Sequence, residues 1–304
     1  MRRPRICVLV DRIGWAYDVI AKALVVELPQ YDFIIRRVDE VDAINYGHDA
    51  YDLIFCMGWK WPHREITTPK EKTISVCHSF RTLGPKHTIE EWCKYMTDRY
   101  CAMGSVNMRL QEMLGKYIPN VVYTPNGVDT VRFCPGPKKA YGGLTAGWSG
   151  RGDDLNFRGV HLMEIACKEA GWDLKLNIAQ KTHIRHEDMP AFYQSLDLYF
   201  CLSKSEGCSC SMLEAAACGV PIIATDTGVS KEMVTQAMSG FVFSRKDLDE
   251  RLGLLVDCMK ILDRRECGIM GRYMRHDIEE HWTWAAQAPK WDELIVAGLA
   301  SAGA

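Results

Sequence analysis

Short apolar runs alternate with amphipathic stretches along nearly the whole chain. Runs at 5–10, 33–38, 51–57, 73–77, 144–148, 174–178, 198–202 and 220–225 are four to eight residues long, end in polar or glycine-bearing turns, and predict buried strands. Between them, stretches at 16–28, 88–96, 105–114, 160–170, 187–195, 209–218 and 247–262 have the spacing or composition of helices. Strand and helix in alternation predict parallel sheets covered on both faces. Pro135-Gly136-Pro137-Lys138-Lys139 reads as a linker. The fold class expected is therefore α/β, with Rossmann-like domains over 1–136 and 137–280 and a terminal helical segment over 281–304 that ends in a frayed Ala/Gly tail.

One stretch, 203–232, is the most informative. It follows the apolar run Leu198-Tyr199-Phe200-Cys201-Leu202, continues into a helix rich in Ala, Leu and Met, stops at Gly219 before Pro221, and leads into a second apolar run. In a parallel sheet both strands open on the same edge, so the turns at Glu206-Gly207 and Thr227-Gly228 face one crevice. A helix opening after Gly207 offers the N–H groups of Cys208, Ser209, Cys210 and Ser211 and the positive end of its dipole, which suits a diphosphate. Carboxylates would repel phosphate, so Glu206 and Glu214 are read as acceptors for hydroxyls on either side of it. Sugar hydroxyls flanking a diphosphate describe a nucleotide sugar.

Glu206-Gly207, Glu214-Ala215, Gly219-x-Pro221, Thr227-Gly228 and Glu232, at these spacings, resemble the E-x7-E signature of the family-4 retaining glycosyltransferases. The resemblance implies the GT-B fold: two Rossmann-like domains with a cleft between them and a C-terminal helix, here His281-Trp282-Thr283-Trp284 onward, crossing back to the first domain. It assigns Glu206 to the transferred sugar and Glu214 to the nucleotide ribose. Pro125-Asn126-Gly127-Val128-Asp129 resembles the family's PNGVD turn. Arg151 matches the arginine of its diphosphate-binding pair, and Arg158 stands in for the lysine after a slightly longer loop. After the strand at 174–178 the family's glycines are replaced by Ala179-Gln180-Lys181, which makes Lys181 a substitute cation. Gly14, in the turn after the first strand, and His78, just after the fourth, are the positions the family places near the donor and the transferred sugar. Their alternative roles are a tight turn and a hydrogen-bonded structural histidine.

Bulk properties restrict the partners. The 304 residues carry a net charge of -2, so no bulk attraction to nucleic acid or lipid is built in. No apolar run reaches membrane-spanning length and no signal peptide is evident, which leads to the expectation of a cytoplasmic protein, with peripheral membrane association open. Thirteen cysteines without a CxxC pair read as reduced core thiols. Asp247-Leu248-Asp249 has a metal-binding D-x-D pattern but sits where a helix starts, and is read as a cap. No metal and no cofactor beyond the nucleotide-sugar donor are expected, with a UDP-sugar favoured over a GDP-sugar.

The acceptor is less defined. Trp59, Lys60, Trp61, His63 and Arg64 lie after the third strand and combine stacking with positive charge, as an acceptor loop or simply a surface loop would. A membrane lipid or glycan hydroxyl is the family's usual acceptor, and a hydroxymethylated base in DNA is the alternative. A nucleotide-sugar epimerase would isomerise the donor without an acceptor, and a non-catalytic binding module would never turn over. Intact Glu206, Glu214 and Arg151 favour transfer.

Overall fold

A computed structural model describes residues 2–38, 48–58, 68–79, 87–137, 142–179, 181–182 and 184–303. The acceptor candidates Trp59, Lys60, Trp61, His63 and Arg64 lie outside the described residues. The chain forms two compact units, Met1–Gly127 with Trp284–Ala304, and Val128–Thr283.

The first unit is built on β1 (Arg5–Val10), β2 (Asp32–Arg37), β3 (Leu53–Cys56), β4 (Thr73–Cys77), β5 (Ala102–Ser105) and β6 (Val122–Tyr123). All pair in parallel, in the order β2-β1-β3-β4-β5-β6. Helices α1 (Ala16–Glu27), α2 (Ile89–Thr97) and α3 (Met108–Gly115) are the crossovers. Thr88 closes the start of α2 with a full capping box to Glu91, and Asn107 caps α3 by accepting from the Leu110 N–H. The order reverses between β1 and β3, which places the turn carrying Gly14 at the switch point. Ser105, expected to begin a helix, instead ends β5. Its Ala-Met-Gly-Ser sequence has little strand character of its own, and what buries it is the close approach that Gly104 allows: a Cβ there would lie 2.7 Å from Thr124 Oγ1 and 3.0 Å from Val76 and Leu294.

The last helix, α11 (Trp284–Ala302), packs in the first unit. Trp291 is fully buried against Phe55, its indole N–H donating to the Pro125 carbonyl at 2.8 Å. Asp292 accepts from the Tyr31 hydroxyl and the Gln30 amide. The Ala/Gly end expected to fray is helical through Ala302, because Gly298 and Leu299 are buried.

The second unit has β7 (Thr145–Gly150), β8 (Asp173–Ile178), β9 (Leu198–Cys201), β10 (Ile222–Thr225) and β11 (Gly240–Phe243), all parallel, in the order β11-β10-β9-β7-β8. Its helices are α4 (Val160–Ala170), α5 (Met189–Gln194), α6 (Cys210–Ala217), α7 (Ser230–Met233), α8 (Arg245–Glu250), α9 (Gly253–Lys260) and α10 (Arg264–His281). The single helix expected over 247–262 is two, α8 and α9. Asp247 and Asp249 are not its cap: Ser244 caps α8, while Asp247 pairs with Arg251 and Asp249 with Arg245, one turn away along the chain.

No disulfide joins the thirteen cysteines, ten of which are buried, and burial pushes the thiols of Cys56, Cys167 and Cys258 up to about 12. Among the described residues no helix is long and apolar enough to cross a membrane, and no group of three or more His, Cys, Asp or Glu is placed to hold a metal ion.

The contact of α11 with its sheet depends on Gly298, whose added Cβ would lie 2.5 Å from Ile74 Cγ2 and 2.8 Å from Leu53 Cδ1. Gly298→Val forces these apart, and overpacking of this kind costs about 1–3 kcal/mol. The loss is expected in the denaturant midpoint of unfolding. An unchanged midpoint would mean that α11 does not seat on β3 and β4.

Candidate functional site

In the second unit the sheet order reverses between β7 and β9, so the loops after these strands flank a switch point at the carboxyl edge. Most of the residues singled out from the sequence emerge there. Arg151 follows β7 directly, exposed, with Asp153 at 3.8 Å. Lys181 follows β8 and is exposed, its N–H donating to the Ile178 carbonyl at 2.7 Å. Residues 202–209 form the loop after β9, and 226–229 the turn after β10.

These two connections are locked to each other. The Thr225 hydroxyl donates to the Ser203 carbonyl at 2.6 Å, and the Val229 N–H donates to the Gly207 carbonyl at 3.0 Å. Gly228, at φ +57°, lies so close that a Cβ would stand 2.2 Å from the Gly207 oxygen. No side chain fits there, and the conformation itself favours glycine. From the other side Gly159, at φ +77°, allows the start of α4 the same intimacy: a Cβ would meet the Leu202 oxygen at 2.4 Å. The Lys204 N–H donates to the Phe157 carbonyl at 2.9 Å. Connections from the two neighbouring strands, β7 and β10, thus fix the loop that carries Glu206.

Arg158 and Glu206 form an ion pair within that frame, guanidinium to carboxylate at 2.5 Å, with their side chains only 18% and 19% exposed. Sheltered this far from water, the two charges depend on each other: desolvation offsets much of their attraction, and loss of one partner leaves the other uncompensated. Around it, Arg158 Nε and the hydroxyl oxygens of Ser203 and Ser205 are buried and have no hydrogen-bond partner among the described residues. Buried polar atoms are normally paired. A cluster of unmet ones beside a sheet's switch point is a place where a polar ligand would be held.

Ser209 caps α6, accepting from the Met212 N–H at 3.4 Å, and its hydroxyl lies 3.2 Å from that of Ser211. Cys208 is buried and Cys210 half-buried at the same helix start. Glu214, one and a half turns along α6, is held by both oxygens: Oε2 accepts from the Tyr193 hydroxyl at 2.7 Å and Oε1 faces His186 Nε2 at 2.9 Å. Burial and the Glu214 charge push the Tyr193 phenol well above its ordinary range, so it remains a donor.

Three participants were not found from the sequence. His186 and Tyr193 reach Glu214 across 28 and 21 residues, and nothing local marks them. Arg245 did leave a signal. A cation in the first turn of a helix opposes the dipole, and here it is kept because its side chain, 11% exposed, donates from Nη1 to the Leu202 carbonyl at 2.6 Å and pairs with Asp249.

The first-unit candidates have their own surroundings. Gly14, at φ +79°, donates its N–H to Asp18 Oδ2 at 2.7 Å, and Asp18, fully buried, also pairs with Lys22. Gly14 is therefore the tight turn that Asp18 secures, and that N–H is not open to a ligand. His78 follows β4, its ring 4.6 Å from that of Tyr17. His78 Nε2 is enclosed with no hydrogen-bond partner among the described residues. Desolvation drives the imidazole down to about 3, against a smaller opposing contribution from the Met57 backbone. It is neutral at physiological pH, a hydrogen-bonding group and not a cation.

The sequence places this geometry among known proteins. Residues 170–265 match the family described as glycosyl transferases group 1. The matched stretch contains Glu206, Glu214, His186, Tyr193, Gly228 and Arg245. The chain is similar to a GDP-mannose-dependent monoacylated alpha-(1-6)-phosphatidylinositol monomannoside mannosyltransferase of Corynebacterium glutamicum, 29% identical over 43% of this chain and 36% of that protein. It is also similar to the lipopolysaccharide core biosynthesis mannosyltransferase LpsB of Rhizobium meliloti, 38% identical over 21% of this chain and 18% of the relative. The matches thus span about a third or less of these curated relatives' lengths. Among solved structures, sucrose-phosphate synthase of Thermosynechococcus elongatus superimposes with a TM-score of 0.75 at 14% identity, over 98% of this chain and 100% of that one. The Anabaena protein HepE in complex with UDP-glucose does so at 0.69 and 14%, over 97% and 100%. The fold is that of the GT-B glycosyltransferases, and the expected resemblance to a glycosyltransferase family is met by the match over 170–265.

The neutral state of His78 has a consequence for acid stability. Its pKa is near 6.5 when unfolded and about 3 when folded. The unfolded chain therefore binds the extra proton between those values, and stability present above about pH 6.5 is lost as pH falls. His78→Gln should flatten the decline in unfolding free energy between pH 6.5 and 4, measured by urea titration at each pH. Parallel curves for the two proteins would show that His78 is protonated in the fold.

Proposed function

We propose that the chain is a retaining glycosyltransferase that moves a hexose from a nucleoside-diphosphate sugar to a hydroxyl of a lipid or glycan without a metal ion. The observation that carries this reading is the Arg158–Glu206 pair, framed by Gly159, Gly207 and Gly228 at the switch point of the second sheet. In this reading the donor's diphosphate meets Arg158, Arg151 and the N–H groups at the start of α6. Glu206 orients the sugar, and Glu214 the ribose. Breaking the anomeric bond builds negative charge on the leaving diphosphate, and the arginines and helix start stabilise it in place of a metal.

Sequence alone favours a UDP-sugar. Two of the curated relatives are named as GDP-mannose-dependent, whereas the neighbour bound to UDP-glucose shares the fold at 14% identity. GDP-mannose is accordingly the first donor to test. The relatives' names also put lipid and lipopolysaccharide acceptors ahead of DNA.

The resting pair makes a distinctive prediction. Glu206 neutralises the cation that the diphosphate would use, and repels the diphosphate as well. Even at the dielectric of water a charge about 4 Å away is worth about 1 kcal/mol, roughly fivefold in affinity. Glu206→Gln should therefore bind GDP or UDP about fivefold more tightly than the natural chain by calorimetry while sugar transfer is lost, and Arg158→Ala should weaken nucleotide binding. The natural protein at about 100 times Kd of its donor gains roughly 2.7 kcal/mol, a clear thermal shift, and EDTA should leave it unchanged. Absence of a shift with both GDP-mannose and UDP-glucose would overturn the assignment.

A further inference from the structure

Resting on that reading, we infer that His186 is a positioning residue of the donor site: it holds Glu214 so that one carboxylate oxygen stays open to the ribose of a bound nucleotide. The argument begins with the carboxylate. Glu214 side-chain exposure is 12%, so it has little water to lean on. Oε2 is committed to Tyr193, which is fully buried and wedged by ring contacts to Phe133, Phe192 and Tyr199 at 5.5–6.1 Å. Tyr193 cannot move aside for a ligand without opening the core. Only Oε1 remains.

His186 occupies one side of Oε1. A carboxylate oxygen accepts and has two lone-pair sites, so Nε2 donates and one site is left over. The imidazole is not free to swing: it stands 5.7 Å from the Phe133 ring, on the 3-10 turn His186–Asp188 that runs into α5. Its side chain is 38% exposed, unlike Tyr193, so it forms the solvent-facing wall beside the open site. Tyr193 and His186 together fix both rotation and direction of the carboxylate. What reaches the remaining lone pair from outside passes His186, and the ligand chemistry that fits is a hydroxyl donor on a nucleoside.

The test separates this from a merely structural histidine. Binding of GDP and UDP, and of their 2′,3′-dideoxy counterparts, is measured by calorimetry for the natural chain, His186→Ala and His186→Gln. One well-placed hydrogen bond to a charged group is worth about tenfold, so the natural chain should prefer the ribonucleotide by about that factor. His186→Ala should bring that preference close to unity, with little change in dideoxy binding, and His186→Gln, which can still donate to Oε1, should restore most of it. Equal loss for ribo and dideoxy forms, or no change in either, overturns the proposal. A natural chain that prefers the ribonucleotide while His186→Ala keeps the full preference leaves the donor reading standing and removes His186. A natural chain that binds none of the four nucleotides removes the donor reading and this proposal with it.

Discussion

The backbone contact between Gly228 and Gly207 is the constraint on which the second unit's functional edge depends. Two strands that are neighbours in a parallel sheet would ordinarily send their connections apart, each following its own helix. Here the turn after β10 comes back onto the loop after β9 at a separation that admits no Cβ, and the Val229 N–H closes it. Gly159 repeats the arrangement from the β7 side against Leu202. A loop pinned at both ends in this way presents Glu206 at a defined point. The entropic cost of ordering eight residues is met by backbone hydrogen bonds that also satisfy groups the burial would otherwise leave unpaired.

Electrostatics follows from that frame. Arg158 arrives on the segment before α4, and Arg245 on the first turn of α8, so two cations converge on the loop from opposite flanks. One is paired with Glu206, and the other holds the Leu202 carbonyl and Asp249. Neither is a surface charge in any useful sense. A cluster of this kind stabilises the fold only modestly, because desolvation offsets much of the attraction. What it supplies is a cation whose position is fixed before a ligand arrives, which is the condition for stabilising charge without reorganisation.

The parts of this arrangement that were legible in the sequence are those with a local physical signature. The β9–α6–β10 unit announced itself because an apolar run, a run of helix formers, a Gly-x-Pro stop and a second apolar run follow one another within thirty residues. The bounds of β4 and α4 were likewise set by composition alone. Strand β5 was missed because Ala-Met-Gly-Ser gains its burial from Thr124, Val76 and Leu294, none of them near in sequence. The split of 247–262 into two helices was missed because nothing in periodicity reveals that Arg251 and Leu252 turn the chain. In the site, glycines and glutamates at fixed spacing were readable. The groups that aim them, His186 and Tyr193, were not, since a histidine or tyrosine on a helical stretch has the same local appearance whether it faces water or a carboxylate.

Arg245 shows how such residues can be sought. A sequence usually places acids at helix starts, and where it places an arginine there the local rule has been broken for a reason that lies elsewhere in the fold. In this chain the reason is the Leu202 carbonyl, which belongs to the loop that carries Glu206. The same logic applies to Gly228 and Gly159, where backbone conformation and excluded volume together leave no alternative residue. Local violations at 159, 228 and 245 all converge on one loop, which makes that loop, and not the more conspicuous helix that follows it, the part of the second unit around which the rest is arranged.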